Sequence, residues 1–237
     1  METVEELPRT HVNLQIEIKR IFGNNTFARP LFYSYPGGLR FELSESGGVI
    51  NQFLTAHRKA TRICNDIFHG EDELAVCLRA YSDGNHFIHR PVLRALRSAG
   101  IIIPSTRSIW CEDIAADEWY SEDQPEYWIN VAFKLPISRL DTLLWGALAK
   151  DLAAIQPQFN CILYLFNLPQ GVMVFPYDDR GMDVVGPNET LLRQLYCQHQ
   201  EYLLDYDRAE MDSTFATGIT SPTFGPPARH GPPRVDS

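Results

Sequence analysis

Residues 161–185 read CILYLFNLPQGVMVFPYDDRGMDVV, and this stretch indicates the fold more strongly than any other part of the chain. Its first two apolar runs, 161–166 and 172–177, are joined by a five-residue loop, a spacing that is typical of a β-hairpin. A third run follows after Asp178-Asp179-Arg180-Gly181, where a loop that ends in glycine fits a type I turn closing into a bulge. Consecutive hairpins predict antiparallel strands.

The rest of the chain adds further strands and several helices. Alternation of apolar and polar residues predicts three more strands, at 39–43, 74–80 and 127–135, and a fourth is expected at 107–112. Apolar residues at helical spacing predict about five helices, at 12–22, 50–68, 91–99, 140–155 and 192–215. Neighbouring strands that follow one another without a helix favour an antiparallel sheet over a doubly wound parallel one. We therefore expect a single α+β domain at 1–215 with a largely antiparallel mixed sheet.

The last segment of the chain differs in composition from this domain. Residues 216–237 contain five prolines and three glycines and show no periodicity. Such a composition is typical of a disordered tail. A proline-rich docking segment is the alternative interpretation of the same residues.

Composition and charge exclude several classes of function. Of 237 residues, 44 % are apolar and 22 % charged, which is typical of a soluble globular protein. The net charge of -9 argues against nucleic acid as a partner. Residues 1–10 carry acidic groups and no apolar core of a secretory signal, and no apolar run is long enough to span a membrane. The five cysteines are never spaced as a C-x-x-C pair, which favours buried free thiols. We expect a cytoplasmic protein.

Motifs for catalysis are scarce. The chain has no nucleophile elbow, no P-loop and no dinucleotide-binding glycine motif. His86 and His89 have a spacing that zinc sites use, but they are expected in a surface loop, and His57 and His199 are expected as core histidines on apolar helix faces. No cofactor and no metal are predicted.

Clustered aspartates leave a metal-dependent reaction open as an alternative. Five carboxylates could in principle gather around a divalent cation: Asp178, Asp179, Asp183, Asp205 and Asp207. The spacing does not match a calcium loop, however. The favoured interpretation is structural: Asp178 caps its own turn, and Arg180 forms an ion pair with Asp205 or Asp207.

Charge is segregated along the chain. Residues 1–110 carry 13 positive and 11 negative groups, whereas residues 111–237 carry 8 and 19. The densest part, residues 112–126, holds seven carboxylates and no basic residue, and we call it the acidic segment. Charge raises the rate of association with a basic partner, and Trp or Tyr anchors the complex. The alternative is a solvated loop whose aromatic rings tuck into the core. The residues proposed to bind a partner are Glu112, Asp113, Asp117, Glu118, Trp119, Tyr120, Glu122 and Asp123.

Four segments resemble a bacterial family of unknown function, the domain family numbered 3885. Residues 38–43, GLRFEL, resemble the early G-x-R-F-E strand of that family, and residues 58–68 resemble its helix ending in I-F. The most specific matches are residues 177–184, YDDRGMDV, and 204–208, LDYDR. The resemblance assigns no reaction to the residues of these motifs, which are Arg40, Glu42, Asp178, Asp179, Arg180, Gly181, Asp183, Asp205, Asp207 and Arg208. It implies a small intracellular bacterial protein, of the sort often found as immunity proteins against the toxins of competing bacteria.

These observations together favour a non-enzymatic binding protein. We expect an immunity protein or inhibitor that neutralises a basic toxin through the acidic aromatic loop. Two other classes stay open: a metal-dependent hydrolase that uses the clustered aspartates, and a scaffold protein that uses the proline-rich tail.

Overall fold

The computed structural model describes residues 13–83, 85, 87–114 and 126–216. In this part of the chain there are seven strands: β1 Leu39–Glu42, β2 Glu73–Ser82, β3 Ser108–Asp113, β4 Tyr127–Pro136, β5 Ile162–Asn167, β6 Val172–Asp178 and β7 Gly181–Val185. The same residues form seven α-helices: α1 Leu14–Phe22, α2 Leu31–Ser34, α3 Val49–Ile67, α4 His89–Ser98, α5 Leu140–Leu148, α6 Glu189–Gln198 and α7 Arg208–Phe215. Short 3₁₀ helices cover Ile137–Arg139, Gln200–Tyr202 and Asp205–Asp207.

The strands form one sheet in the order β1-β7-β6-β5-β2-β4-β3. Every neighbouring pair is antiparallel. The predicted α+β class with an antiparallel sheet is therefore confirmed, and all seven predicted strands are present in the predicted order. The two hairpins of residues 161–185 contribute β5, β6 and β7.

The sheet is covered on both faces, but unequally. The larger core includes Phe41, Phe133 and Leu165 from the strands, and helices α3 to α7 contribute to it. The smaller core lies on the opposite face, where α1 packs on side chains such as Tyr164 and Phe166. Because side chains of a strand alternate between faces, both cores draw on the same strands, and the central strands are apolar on both sides.

Local signals account for the ends of several elements. The Asn13 side chain accepts from the N–H of Gln15 at the start of α1, and Gly23 ends the helix with a φ of 84°. Asn188 caps α6 by accepting from the N–H of Leu191. In the β6–β7 turn, Asp178 accepts from the N–H of Arg180 at 2.8 Å, as predicted for an aspartate that caps its own turn.

Three expectations about helices were wrong. The helix expected at 140–155 ends at Leu148, because the side chain of Gln158 binds the C=O groups of Ala149 and Leu152 in a turn. The single helix expected at 192–215 is divided into α6, two 3₁₀ turns and α7. Helix α2 was not predicted at all, since four residues are too short for a periodic signal.

The burial of two classes of side chain also differs from expectation. Ile50 and Leu54 belong to the apolar residues whose helical spacing predicts α3, and that spacing implies a buried face. Both are exposed, because the helix turns Phe53, Ala56 and Ala60 toward the sheet. Of the five free cysteines, Cys64 and Cys77 are buried, whereas Cys111 and Cys197 are exposed. No α-helix of the described residues combines the length and the apolar character needed to cross a bilayer.

Candidate functional site

Three of the family motifs meet at the side chain of Arg40. Strand β1 carries Arg40 directly opposite Asp183 of β7, and the 3₁₀ turn before α7 brings Asp207 to the same place. We call Arg40, Asp183, Asp207, Phe32 and Tyr33 the arginine cluster. Its acidic members come from the YDDRGMDV and LDYDR segments.

The guanidinium of Arg40 binds both carboxylates. Its Nε–H donates to Oδ1 of Asp183 at 2.8 Å and its Nη2 donates to Oδ2 at 3.1 Å. Its Nη1 donates to Oδ2 of Asp207 at 2.9 Å, and the hydroxyl of Tyr33 donates to the other oxygen of that carboxylate at 2.5 Å. Such two-point binding combines charge attraction with a fixed orientation of the guanidinium relative to the carboxylate.

Burial sets the electrostatics of this cluster. Asp183 is only 2 % exposed, and burial raises its pKa, although Arg40 and the N–H of Phe32 oppose that shift. Burial lowers the pKa of Arg40, but the two carboxylates together raise it by more than burial lowers it, so the net shift is upward. The guanidinium also lies over the rings of Phe32 and Tyr33, at 4.9 and 5.1 Å from their centroids. The cluster therefore holds one guanidinium between two buried carboxylates.

The backbone of Arg40 is bound as well. Its C=O accepts from the N–H of Leu204 at 2.9 Å, and its N–H contacts Sδ of Met211 at 3.3 Å. An isolated bridge joins Phe41 and Leu203. Residues after α6 therefore cover the outer edge of β1, and the arginine cluster locks them there.

The other carboxylates of the motifs form a second, separate group in the β6–β7 turn. Asp178 pairs with Arg180, through its Nε and Nη2, so the expected pairing of Arg180 with Asp205 or Asp207 was wrong. The turn is two residues long, which brings Arg180 to Asp178 and not to the distant 3₁₀ turn. Asp179 is 5 % exposed. Burial raises its pKa, and the negative charge of Asp178 raises it as a second, smaller cause.

Three motif residues lie at the surface. The side chain of Glu42 is exposed at the end of β1, and Asp205 is exposed in the 3₁₀ turn. Arg208 donates to the C=O of Gln200 at 2.8 Å and lies 3.7 Å from the carboxylate of Asp212.

Gly181 lies where the β6–β7 turn leaves no room for a side chain. A Cβ there would lie 2.1 Å from the Tyr177 hydroxyl and 2.6 Å from the C=O of Phe41.

The five clustered aspartates do not converge on one point. Within residues 13–83, 85, 87–114 and 126–216, no three His, Cys, Asp or Glu side chains are arranged to hold a metal ion. The cation that Asp183 and Asp207 share is the guanidinium of Arg40.

The acidic segment begins at the end of β3. Glu112 lies on the smaller core's side of the sheet, where it pairs with Arg79 and with Lys19 and accepts from Nε1 of Trp110 at 2.9 Å. Burial raises its pKa, but Trp110 and Arg79 lower it more, and the net shift is downward. Asp113 is exposed. The other proposed partner-binding residues lie outside the described residues: Asp117, Glu118, Trp119, Tyr120, Glu122 and Asp123.

Arg79 is a functional candidate that sequence reasoning missed. It is 8 % exposed, donates to Asn130 Oδ1 at 3.1 Å, and lies 4.8 Å from the ring centroids of both Phe27 and Trp128. A charged residue in an otherwise apolar strand was the signal available for it. Two residues further along β2, the hydroxyl of Tyr81 donates to Oε1 of Glu126 at 2.6 Å. Glu126 is the last residue of the acidic segment.

The histidines do not form a site with these groups. His199 is 1 % exposed and its Nε2 lies 2.8 Å from Oδ2 of Asp66, as expected of a core histidine. His57 is half-buried and its Nε2 lies 3.0 Å from the C=O of Asp141. His89 is the first residue of α4, and His86 lies outside the described residues.

Comparison with known proteins gives one relationship. No curated protein and no solved structure is significantly similar to the chain. The family model described as "Domain of unknown function (DUF3885)" matches residues 14–207, which include the whole arginine cluster and all of the strands. The chain belongs to this family.

Proposed function

We propose that this protein is a non-enzymatic binding protein of the bacterial cytoplasm, an immunity protein or inhibitor that neutralises a basic toxin through the acidic segment. The observation that carries this proposal is the density of charge at 112–126, which holds seven carboxylates and no basic residue in fifteen positions. A field of one sign steers an oppositely charged partner to the site and increases the rate of association.

The two ends of the acidic segment adjoin the paired strands β3 and β4. Asp113 is paired with Tyr127 in the β3–β4 ladder, so both ends of the segment are held at one end of the sheet. Asp113 is exposed on β3, and Tyr81 of β2 is 44 % exposed and donates to the carboxylate of Glu126, the last residue of the segment. An exposed aromatic ring beside carboxylates is typical of the anchor residues of protein interfaces.

The family motifs support binding over hydrolysis. Asp183 and Asp207 bind Arg40, and Asp178 binds Arg180, so these carboxylates already have charged partners in the fold. A buried ion pair of this kind specifies the arrangement of the chain more than it offers a reactive group. We therefore assign the arginine cluster a structural role, which leaves the acidic segment as the interaction site.

An affinity pull-down from the host tests the proposal without an assumed partner. The tagged protein is recovered at low and moderate salt, and bound proteins are identified by mass spectrometry. We expect a stoichiometric basic protein that is lost as salt rises, because screening weakens attraction between exposed charges. Recovery of no partner at either salt would contradict the proposal. Recovery that requires residues 216–237 would favour the scaffold function instead.

Charge reversal separates the acidic segment from the net charge of the protein. Asp117→Lys with Glu122→Lys should slow association and flatten its salt dependence. The matched control is Asp72→Lys with Glu73→Lys, which changes the net charge equally at exposed positions beside the opposite end of β2. Equal effects of the two variants would show that only the net charge matters, which would contradict the assigned site.

A further inference from the structure

The two edges of the sheet differ in the contacts that their outer backbone groups make. The outer edge of β1 is covered, since Leu204 and Met211 bind the backbone of Arg40. The other edge belongs to β3, the last strand of the order. A strand at an edge has unpaired N–H and C=O groups, and natural proteins usually block them with lysine, proline or a covering segment. Strand β3 reads SIWCED and contains none of these residues.

Hydrogen bonds identify which groups of β3 point outward. The N–H of Ile137 donates to the C=O of Asp72 at 2.9 Å, one step beyond the Glu73↔Pro136 pair. In an antiparallel ladder every second residue bonds to the same neighbour, so the odd-numbered residues of β4 bond to β2 and the even-numbered ones face β3. Pro136, which has no N–H, falls on an even number as this phasing requires.

The outward groups of β3 follow from the register. Trp110 pairs with Asn130, and Glu112 pairs with Trp128, so these two residues of β3 bond to β4. The N–H and C=O groups of Ile109, Cys111 and Asp113 therefore point away from the sheet. Within the described residues, none of these backbone groups makes a hydrogen bond to another backbone group.

The side chains on this edge are exposed as well. Ile109 is 50 % exposed, and Cys111 and Asp113 are also exposed. Helix α1 packs on the other face of β3, where its first N–H, that of Leu14, donates to Oγ of Ser108. Among the residues that the structure describes, the edge thus presents backbone groups without a backbone partner, together with the side chains of Ile109 and Asp113.

Charge indicates the occupant of this edge. The strand ends in Glu112 and Asp113 and continues directly into the acidic segment. Glu112 is already paired with Arg79 and Lys19, so an extended segment that pairs with β3 would place its residues beside the exposed carboxylate of Asp113, where a basic side chain is favoured. Peptide recognition by strand addition uses the backbone for affinity and the side chains for specificity.

From these observations we infer that the edge of β3 binds an extended, lysine- or arginine-rich segment of the basic partner, which adds to the sheet as an eighth strand. The inference rests on the proposed function and gives it a binding mode. The partner's backbone bonds to Ile109, Cys111 and Asp113, and one of its basic side chains lies beside the carboxylate of Asp113.

One pair of variants tests the role of the backbone. Cys111→Pro removes an outward N–H without removing a bond to β4, whereas Cys111→Val keeps that N–H. The probe is a blocked ten-residue peptide of alternating lysine and valine, and its affinity is measured by titration. We expect Cys111→Pro to bind about tenfold more weakly than Cys111→Val, because a hydrogen bond is lost and a partner C=O is left unsatisfied. Equal affinities would overturn the inference.

A second measurement does not depend on the folding of the proline variant. In the wild-type protein, the peptide should slow amide hydrogen exchange at Ile109, Cys111 and Asp113 and leave Trp110 and Glu112 unchanged. A peptide N-methylated at every residue should lose this effect, because neither of its two edges can then donate to β3. The edge amides could also be protected without peptide, to a degree that rises with protein concentration. That result would show that β3 pairs with a second copy of the chain, and it would overturn the inference.

The charge-reversal variant separates failure of this inference from failure of the proposed function. If Asp117→Lys with Glu122→Lys weakens peptide binding and Cys111→Pro does not, the acidic segment binds the partner and the edge does not. If only Cys111→Pro weakens binding, the edge pairs with strands of any charge, and the basic occupant is wrong. If neither variant weakens binding and the pull-down recovers no basic protein, both proposals fail.

Discussion

Arg40 and Asp183 face each other across β1 and β7, and two hydrogen bonds join their side chains at 2.8 and 3.1 Å. The carboxylate of Asp183 is 2 % exposed. A charge so buried is tolerated because the guanidinium neutralises it and because the N–H of Phe32 also donates to it. The pair ties the edge strand to its neighbour and, through Asp207, to the segment that covers the edge.

Arg40→Met should destabilise the protein strongly. Removal of one partner of a buried ion pair leaves the other charge uncompensated, which costs about 3–5 kcal/mol of unfolding free energy. Urea unfolding followed by circular dichroism measures the loss. Arg208→Met is the control, since Arg208 is half-exposed and makes only a hydrogen bond to the C=O of Gln200 and a pair with Asp212, whose loss should cost about 1 kcal/mol. Similar losses in the two variants would contradict the role assigned to Arg40.

Arg40 and Asp207 should act as one unit. Asp207→Asn alone removes the charge that binds both Arg40 and the hydroxyl of Tyr33. Once Arg40 is replaced, that charge has lost its cation, so the second change should cost less than in the wild type. We expect the double variant to be more stable than the sum of the single losses predicts, by about 0.5–3 kcal/mol. Additive losses in a double-mutant cycle would show that the two residues are independent.

Gly181→Ala should destabilise the β6–β7 turn. The added Cβ would lie 2.6 Å from the C=O of Phe41, a backbone atom that cannot move without disturbing β1. We expect a loss of about 1–3 kcal/mol, which is typical of an overpacked site. Gly48→Ala is the matched control, because nothing lies within 4 Å of a Cβ at that position and its φ of -74° suits alanine. The midpoint of thermal unfolding should fall further for the first variant than for the second, because Gly48→Ala loses only the preference for glycine over alanine at the N-cap of α3.

The stability of the protein should depend on pH through His199. Burial lowers the pKa of His199, and Asp66 only partly opposes this shift. As pH falls below the ordinary histidine value of about 6.5, the unfolded chain therefore binds a proton that the folded chain does not. The contribution of His199 to stability is present above that pH and is lost as pH falls. Urea unfolding from pH 8 to 5.5 should give a steeper loss for the wild type than for His199→Gln. Parallel pH profiles for the two proteins would contradict this assignment.

Local patterns determined most of the fold. Alternation of apolar and polar residues located β1, β2 and β4, and apolar runs separated by the turn residues at 167–171 and 178–181 located β5, β6 and β7. These signals are local, because the faces of a strand and the φ preferences of glycine depend on a few neighbouring residues. Helix ends were less predictable. The side chain of Gln158, which meets the carbonyl groups at the end of α5 only in the folded chain, decided where that helix stops.

The candidate sites were decided by long-range contacts. The acidic segment is visible in the sequence, since seven carboxylates at 112–126 need no structure to be counted. The partners of Arg40, in contrast, lie 143 and 167 residues away along the chain, and the sequence pattern paired one of them, Asp207, with Arg180 instead.

Tertiary structure also decided which strand is an edge. Strands β1 and β3 have similar lengths, and both contain acidic residues at their ends. Only the order of the sheet places them at opposite edges, and only the contacts of Leu204 and Met211 close the first edge. The sequence alone thus determined the elements and the charge of the acidic segment, because these depend on neighbouring residues. The tertiary structure decided the ion pairs and the open edge, because these join groups that chain folding brings together from distant positions.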